Sequence, residues 1–250
     1  MTRKLVPVVK EGRFKIQDIA RSSNVTRWHS VNCLRYPSIA EHSYLVIMYA
    51  REILYQINPK ATNYERLLLL EYCAFHDIAE VLTGDMATPV KRKLESFFPD
   101  GASPLDELEE ALCSDYKMLK AAIKGTYLAA VAKLADVLEA CKFIDVEGKR
   151  NTSNHEANMQ MLNIVNQMAN CMGSSEQDEN INQLKAMIEK AQEKEKNDTI
   201  YLIRSERIAN YKKRIEDASV AYPEFNWNVC HDVMEDLLNG PCAQIDFIDQ

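Results

Sequence analysis

The chain has 250 residues, 46% hydrophobic and 27% charged, which is enough apolar material for a full core. Its net charge of −7 argues against a protein that coats nucleic acid, since such surfaces carry basic patches. A small anionic substrate stays compatible, because a few local Arg and Lys residues, or a metal, make a positive pocket inside an acidic protein.

The seven cysteines are odd in number, scattered and without a C-x-x-C pair, so they read as reduced core thiols, neither a disulfide framework nor a zinc ribbon. The N-terminus, MTRKLVPVVKEGRFK, lacks the apolar core of a signal peptide, and no apolar stretch approaches the ~18 residues of a membrane span. The expectation is a cytoplasmic protein.

Breakers are few, and helical spacing dominates throughout. Residues 16–22 read as a short helix. Ser38-Ile-Ala-Glu41 matches a capping box opening a helix that runs to about residue 56. The next helix begins near Asn63 and carries YERLLLLEYCAFHDIAEVL to Gly84, a residue suited to a helix C-terminus. TGDMATPV reads as a loop leading to a short basic turn, PLDELEEALCSDYKMLKAAI as one amphipathic helix, and TYLAAVAKLADVLEACKFIDVE as another.

Beyond Lys149 the chain becomes more polar. HEANMQMLNIVNQMANCM reads as a Met-rich helix, GSSEQDEN as a linker and NINQLKAMIEKAQEKEK as a charged helix. Two further helices fall around 201–216 and 227–239. The prediction is all-α: a core over 1–172 and a helical extension over 173–250 that packs on that core or on a second subunit. Few breakers and many apolar, Met-bearing helical faces suggest a homodimer or higher homo-oligomer.

The run CAFHDIAEVLTGD sets coordinating side chains in the most apolar part of the sequence. With about 100° per residue, His76, Asp77 and Glu80 fall at roughly 0°, 100° and 40° around a helix axis, in one sector. An unpaired buried carboxylate costs several kcal/mol, roughly, and a bound cation removes that cost. The plainer reading is a satisfied His-Asp pair in the core; Glu80 and Asp85 nearby weigh against it. His42, in AEHSYLV, is a second imidazole of the kind that binds Mn, Co, Zn or Fe. Asp136 is weaker on local grounds, because Lys133, Asp136 and Glu139 share a stripe that reads as a solvated face.

The ordered set Arg27-Trp28, Glu41-His42, His76-Asp77-Ile-Ala-Glu80, Thr83-Gly-Asp85, Thr88-Pro-Val-Lys91 and Lys133-Leu-Ala-Asp136 resembles the HD-domain phosphohydrolases. The likeness is to the YfbR-like 5′-deoxynucleotidase branch and the related phage deoxynucleoside triphosphohydrolases, over about residues 14–150. A bare His-Asp pair is weak; the run HD-x-x-E-V-L-T-G-D-x-x-T-P-V-K with its flanking motifs is specific.

The resemblance implies an HD-domain helical bundle and one divalent ion (Mn, Co, Zn, Fe or Mg) held by His42, His76, Asp77 and Asp136, which reverses the local reading of Asp136. It implies that Glu80 orients or deprotonates water, or protonates the leaving oxygen. Asp85 then helps hold water or the phosphate-bearing end. Arg27 grips phosphate, Trp28 presses on the sugar where a 2′-hydroxyl would sit, and Thr88 and Lys91 line the phosphate side. His29, directly after Trp28, departs from the pattern; it approaches the base or phosphate, or lies on the surface.

Two substrate readings follow: a deoxynucleoside 5′-monophosphate cut to nucleoside and phosphate, or a deoxynucleoside triphosphate cut at the α-phosphate to release triphosphate. Lys91, Arg92 and Lys93 form a basic cluster that suits extra phosphates or a solvated loop equally. The Thr-Gly-Asp…Thr-Pro-Val-Lys run and Arg-Trp pair point away from cyclic nucleotides and guanosine polyphosphates. A catalytically silent, metal-bound regulatory module is the reading from a different class. All depend on residues 76 and 136, sixty positions apart in the chain, lying within about 8 Å so that they share an ion.

Overall fold

Helix caps set the frame. The computed structural model describes residues 15–98, 103–148 and 199–240, and among these the chain is helical with two isolated bridges. The two expected helices and the linker between 149 and 198, and the boundary at 172, lie outside the described residues.

Helix α1 spans Ile16–Ala20 and runs into a 3-10 turn, Arg21–Ser23. Helix α2, Ile39–Ile57, opens on the expected capping box: the Glu41 amide donates to Ser38 Oγ at 3.2 Å, and Ser38 N donates to Glu41 Oε2 at 2.7 Å. Helix α3, Asn63–Phe75, opens on a second capping box, Thr62 with Glu65.

The helix expected to continue to Gly84 does not. It stops at Phe75, and after a turn over 76–79 a one-turn helix α4 covers Glu80–Thr83. The physical reason lies in His76. Its Nδ1 donates to the Cys73 carbonyl at 2.7 Å, occupying the acceptor that an α-helix would offer to the Asp77 amide. The following amides shift to shorter-range partners, Ile78 N to Phe75 O and Glu80 N to Asp77 O. Gly84 ends α4 at φ 77°.

Two further expectations are corrected. The basic stretch expected as a turn is helix α5, Thr88–Glu95, with a proline in its first turn where its missing N–H costs nothing. The single helix expected over 104–123 is two, α6 (Pro104–Leu112) and α7 (Ser114–Ile123), parted by Cys113 in extended backbone at φ −137°. The Cys113 thiol takes the Tyr116 amide and so caps α7.

Helix α8, Tyr127–Glu147, is the axis of the core. It is buried on most sides, including Leu134, Ala135, Leu138 and Ile144, and packs on α2, α3 and the C-terminal helix α9, Thr199–Ala221. Helix α10, Val229–Asn239, closes against α2 and α8. Tyr211, Ile215 and Trp227 belong to the same apolar cluster as Val46, Leu69 and Leu138, so α9 and α10 share one core with the helices before them. Lys142 ties α8 to the end of α10 by donating to the Leu237 carbonyl at 2.8 Å.

Trp227 is 1% exposed, donates its Nε1–H to the Tyr222 carbonyl at 2.8 Å and meets Phe225 edge-on. Replacing it with alanine opens a large cavity and leaves that carbonyl without its donor, so Trp227→Ala should lose about 3–5 kcal/mol in urea unfolding. An unchanged unfolding midpoint would mean that residues 199–240 do not share the core.

Candidate metal and phosphate site

His42 sits in the first turn of α2, fully buried. His76 and Asp77 come from the break after α3, Glu80 from the start of α4, and Asp136 from the middle of α8. The break is what aims the His-Asp pair: both side chains reach toward α2 and α8. His42 Nε2 lies 3.1 Å from His76 Nε2, 3.2 Å from Asp77 Oδ2 and 3.6 Å from Asp136 Oδ1. His76 Nε2 is 3.5 Å from the same Asp77 oxygen. Donor atoms of His42, His76 and Asp136 all fall within 4.8 Å of one another, well inside the limit that a shared ion sets.

Both imidazoles are oriented from behind. His42 Nδ1 is 2.7 Å from Glu139 Oε2, and His76 Nδ1 meets the Cys73 carbonyl. A carboxylate and a carbonyl only accept, so each ring carries its proton on Nδ1 and turns Nε2 toward the common point, the arrangement of metal-ligating histidines. Glu139 was missed in the sequence. The stripe Lys133, Asp136, Glu139 read there as solvated, yet Glu139 is 1% exposed. The stripe instead runs from solvent into the core, with Lys133 half exposed and bonded to Asp136 at 2.5 Å. No local signal distinguishes such a glutamate; its partner lies 97 residues away.

The electrostatic field at this point favours positive charge. Burial and Arg27 both push His42 down, but its bonds to Asp77 and Glu139 outweigh them and raise it to about 9. Burial drives His76 down, toward the neutral form with a free lone pair. Asp77 and Asp136 stay ionised against burial. His76, Arg27 and His42 hold Asp77 down, and Lys133, His76 and His42 hold Asp136 down. Two imidazole nitrogens and two carboxylates are a donor set suited to a divalent ion, and an ion of octahedral geometry would keep further positions for water and substrate.

Around this centre lie the groups that face a substrate. Arg27, 14% exposed, ion-pairs with Asp77, and its Nη1 lies 3.5 Å from Glu80 Oε2. Those charges raise its already high value further, against the effect of burial. Glu80 is 3% exposed and accepts from Lys91 Nζ at 2.9 Å. Burial and the Asp77 charge raise it to about 7, in spite of Lys91 and Arg27. Arg27 Nε and Glu80 Oε2 are buried without hydrogen-bond partners.

Trp28 adopts left-handed backbone, φ 64°, uncommon for any side chain but glycine. Its amide donates to Asp85 Oδ2 at 3.2 Å, and the Arg27 amide to the Pro37 carbonyl at 2.9 Å. Asp85 therefore touches the backbone of the Arg27-Trp28 segment. His29, 56% exposed, has Nδ1 3.7 Å from the same Asp85 oxygen. Thr88 starts α5; its side chain lies outside the described residues.

A helical scaffold that gathers His from one helix, His-Asp from a helix break and Asp from another helix onto one point is the arrangement of an HD-type hydrolase. The family model of YfbR-like 5′-deoxynucleotidases matches residues 16–179, and the chain belongs to that family as an HD-family nucleotide phosphohydrolase. A dATP triphosphohydrolase of Acinetobacter phage SH-Ab 15497 is 33% identical over 158 residues, 59% of this chain and 75% of its own. A 5′-deoxynucleotidase of Pectobacterium atrosepticum is 30% identical over 155 residues, 55% of this chain and 73% of its own. The solved cyanophage S-2L HD phosphohydrolase, bound to dA and one catalytic Zn2+ ion, overlays at TM-score 0.47 and 18% identity, covering 82% of this chain and 98% of its own.

Glu139→Gln keeps the shape behind His42 but removes the charge. Loss of such an outer partner typically weakens metal affinity about 10–100-fold. Titration calorimetry with Mn2+ should show that drop while circular dichroism stays unchanged.

Proposed function

We propose that the protein hydrolyses deoxynucleoside 5′-monophosphates to deoxynucleoside and orthophosphate, with one divalent ion held by His42, His76, Asp77 and Asp136. The observation that carries this reading is the convergence of two Nε2 atoms and the Asp77 and Asp136 carboxylates beside the Arg27 guanidinium. Membership of a 5′-deoxynucleotidase family supports the monophosphate as substrate. Two imidazoles in the donor set favour Mn, Co, Zn or Fe over Mg.

When bound, the ion acidifies water and draws charge from the phosphoryl oxygens. Glu80, poised near neutrality, takes a proton from the attacking water or returns one to the leaving 5′-oxygen. Lys91 holds the Glu80 carboxylate in place from the side of α5. Arg27 offers the phosphate a permanently charged planar fork, including the Nε–H that has no protein partner. The Trp28 ring covers the sugar face and leaves no room for a 2′-hydroxyl. Asp85 holds the Trp28 amide and helps hold water or the phosphate-bearing end of the substrate, and the family resemblance assigns Thr88 to the phosphate side.

The phage relatives support a second reading, cleavage of a dATP-type triphosphate at the α-phosphate. The basic cluster of α5 argues for the first: Lys91 is engaged with Glu80, and Lys93 lies over the Phe97 ring at 5.0 Å. Of the three, Arg92, exposed on the same helix, is left to meet β- and γ-phosphates.

The same proposal divides the chain into a hydrolase domain, 1–172, and a helical addition, 173–250; the shared core of α9, α10 and α8 supports an addition packed on the domain. It includes a cytoplasmic homo-oligomer. Among the described residues no helix is long and apolar enough to cross a membrane, and exposed Tyr44, Met48 and Tyr55 on α2 offer apolar surface to a second copy.

Phosphate release from a panel of ribo- and deoxynucleotides, with Mn2+ or Co2+ added, tests the reading. Deoxynucleoside 5′-monophosphates should be hydrolysed, and Glu80→Ala should slow them by about 10²–10⁴-fold, the usual contribution of an acid–base group. Anion exchange separates orthophosphate from triphosphate; the latter as product would establish the second reading. Tight metal binding with no nucleotide hydrolysed would establish the silent regulatory module instead.

A further inference from the structure

Arg207 lies on α9, beyond residue 179, where the match to the family model ends. Its guanidinium carbon stands 5.4 Å from the centre of the Trp28 ring, within cation–π range. The same ring stacks on Phe143 of α8 at 5.3 Å with planes 25° apart. Phe143 is itself 6% exposed, so it is a fixed wall. One turn before Arg207, Arg204 Nε donates to Asp145 Oδ1 at 2.6 Å, which sets the rotation of α9 against α8. The backbone of Trp28 is held separately, by Asp85, in a left-handed conformation that the chain does not adopt unaided. The indole Nε1 is buried and makes no hydrogen bond, so nothing polar fixes the ring's angle. Among the described residues, Phe143 and Arg207 are the aromatic and cationic partners of the ring.

We propose that Arg207 is a positioning residue for Trp28, so that the C-terminal helix α9 helps set the sugar selectivity of the nucleotide site. The inference rests on the proposed role of Trp28 against the sugar. Arginine suits the task because its flat guanidinium stacks on an aromatic face, where the more strongly hydrated ammonium of lysine does so less well.

The test is a double-mutant cycle in the full-length protein, with Arg207→Ala, Arg207→Lys, Trp28→Leu and the double variant Arg207→Ala/Trp28→Leu. Two quantities are read: tryptophan emission, and the ratio of kcat/KM for a deoxynucleoside over the matching ribonucleoside 5′-monophosphate. A cation–π contact of this exposure corresponds to roughly threefold to tenfold, so Arg207→Ala should lower the ratio by about that factor and shift the emission, with Mn2+ affinity unchanged. Arg207→Lys should recover part of both. In the Trp28→Leu background, which has no aromatic face, Arg207→Ala should change neither. An equal fall in the ratio with Leu at position 28, or either an unaltered ratio or an unaltered emission in Arg207→Ala, overturns the proposal. If the unmodified protein hydrolyses no nucleotide, the proposed function falls and sugar selectivity with it; the emission arm still decides whether Arg207 holds Trp28.

Discussion

Two imidazoles stand with their Nε2 atoms 3.1 Å apart, between two carboxylates, in a place where one ring is wholly buried. Such crowding of lone pairs and negative charge is stable only with positive charge at the centre. The surrounding structure serves this constraint. Glu139 and the Cys73 carbonyl turn the rings inward, Lys133 steadies Asp136 from the solvent side, and Arg27 covers Asp77. The helix break after Phe75 belongs to the same device, since His76 stops α3 with the very bond that orients its own ring.

The acidic character of the chain and its anionic substrate class do not conflict. Positive charge is concentrated where it acts: Arg27 and Lys91 point at Asp77 and Glu80, and neither is left to bulk water. Each cation is already paired, so a phosphate enters a site whose charges are organised beforehand and need little rearrangement. Burial and the Asp77 charge raise Glu80 while Lys91 and Arg27 pull it back, which leaves it near neutrality.

Local signals in the sequence were reliable where the physics is local. Ser38 with Glu41 and Gly84 announced their helix ends because caps depend on three or four consecutive residues. The His42, His76, Asp136 set was legible through the order of its motifs; the angular argument for His76, Asp77 and Glu80 assumed one continuous helix and met a break. That break was hidden because it arises from a side chain competing for a backbone acceptor. Glu139 and Arg207 were hidden for another reason. Their partners, His42 and Trp28, are distant in the chain, and their own neighbourhoods look like ordinary helix surface. The split at Cys113 likewise follows from a buried thiol that replaces a hydroxyl as cap.

The left-handed backbone at Trp28 has a consequence for how this chain can drift over generations. Glycine or asparagine at that position would relieve the conformational cost but would give up the stacking on Phe143 and Arg207. The two effects oppose each other, so selection for folding alone holds an aromatic ring at a position where the backbone by itself would favour a smaller residue. A change at position 28 would therefore be expected together with a change at its packing partners.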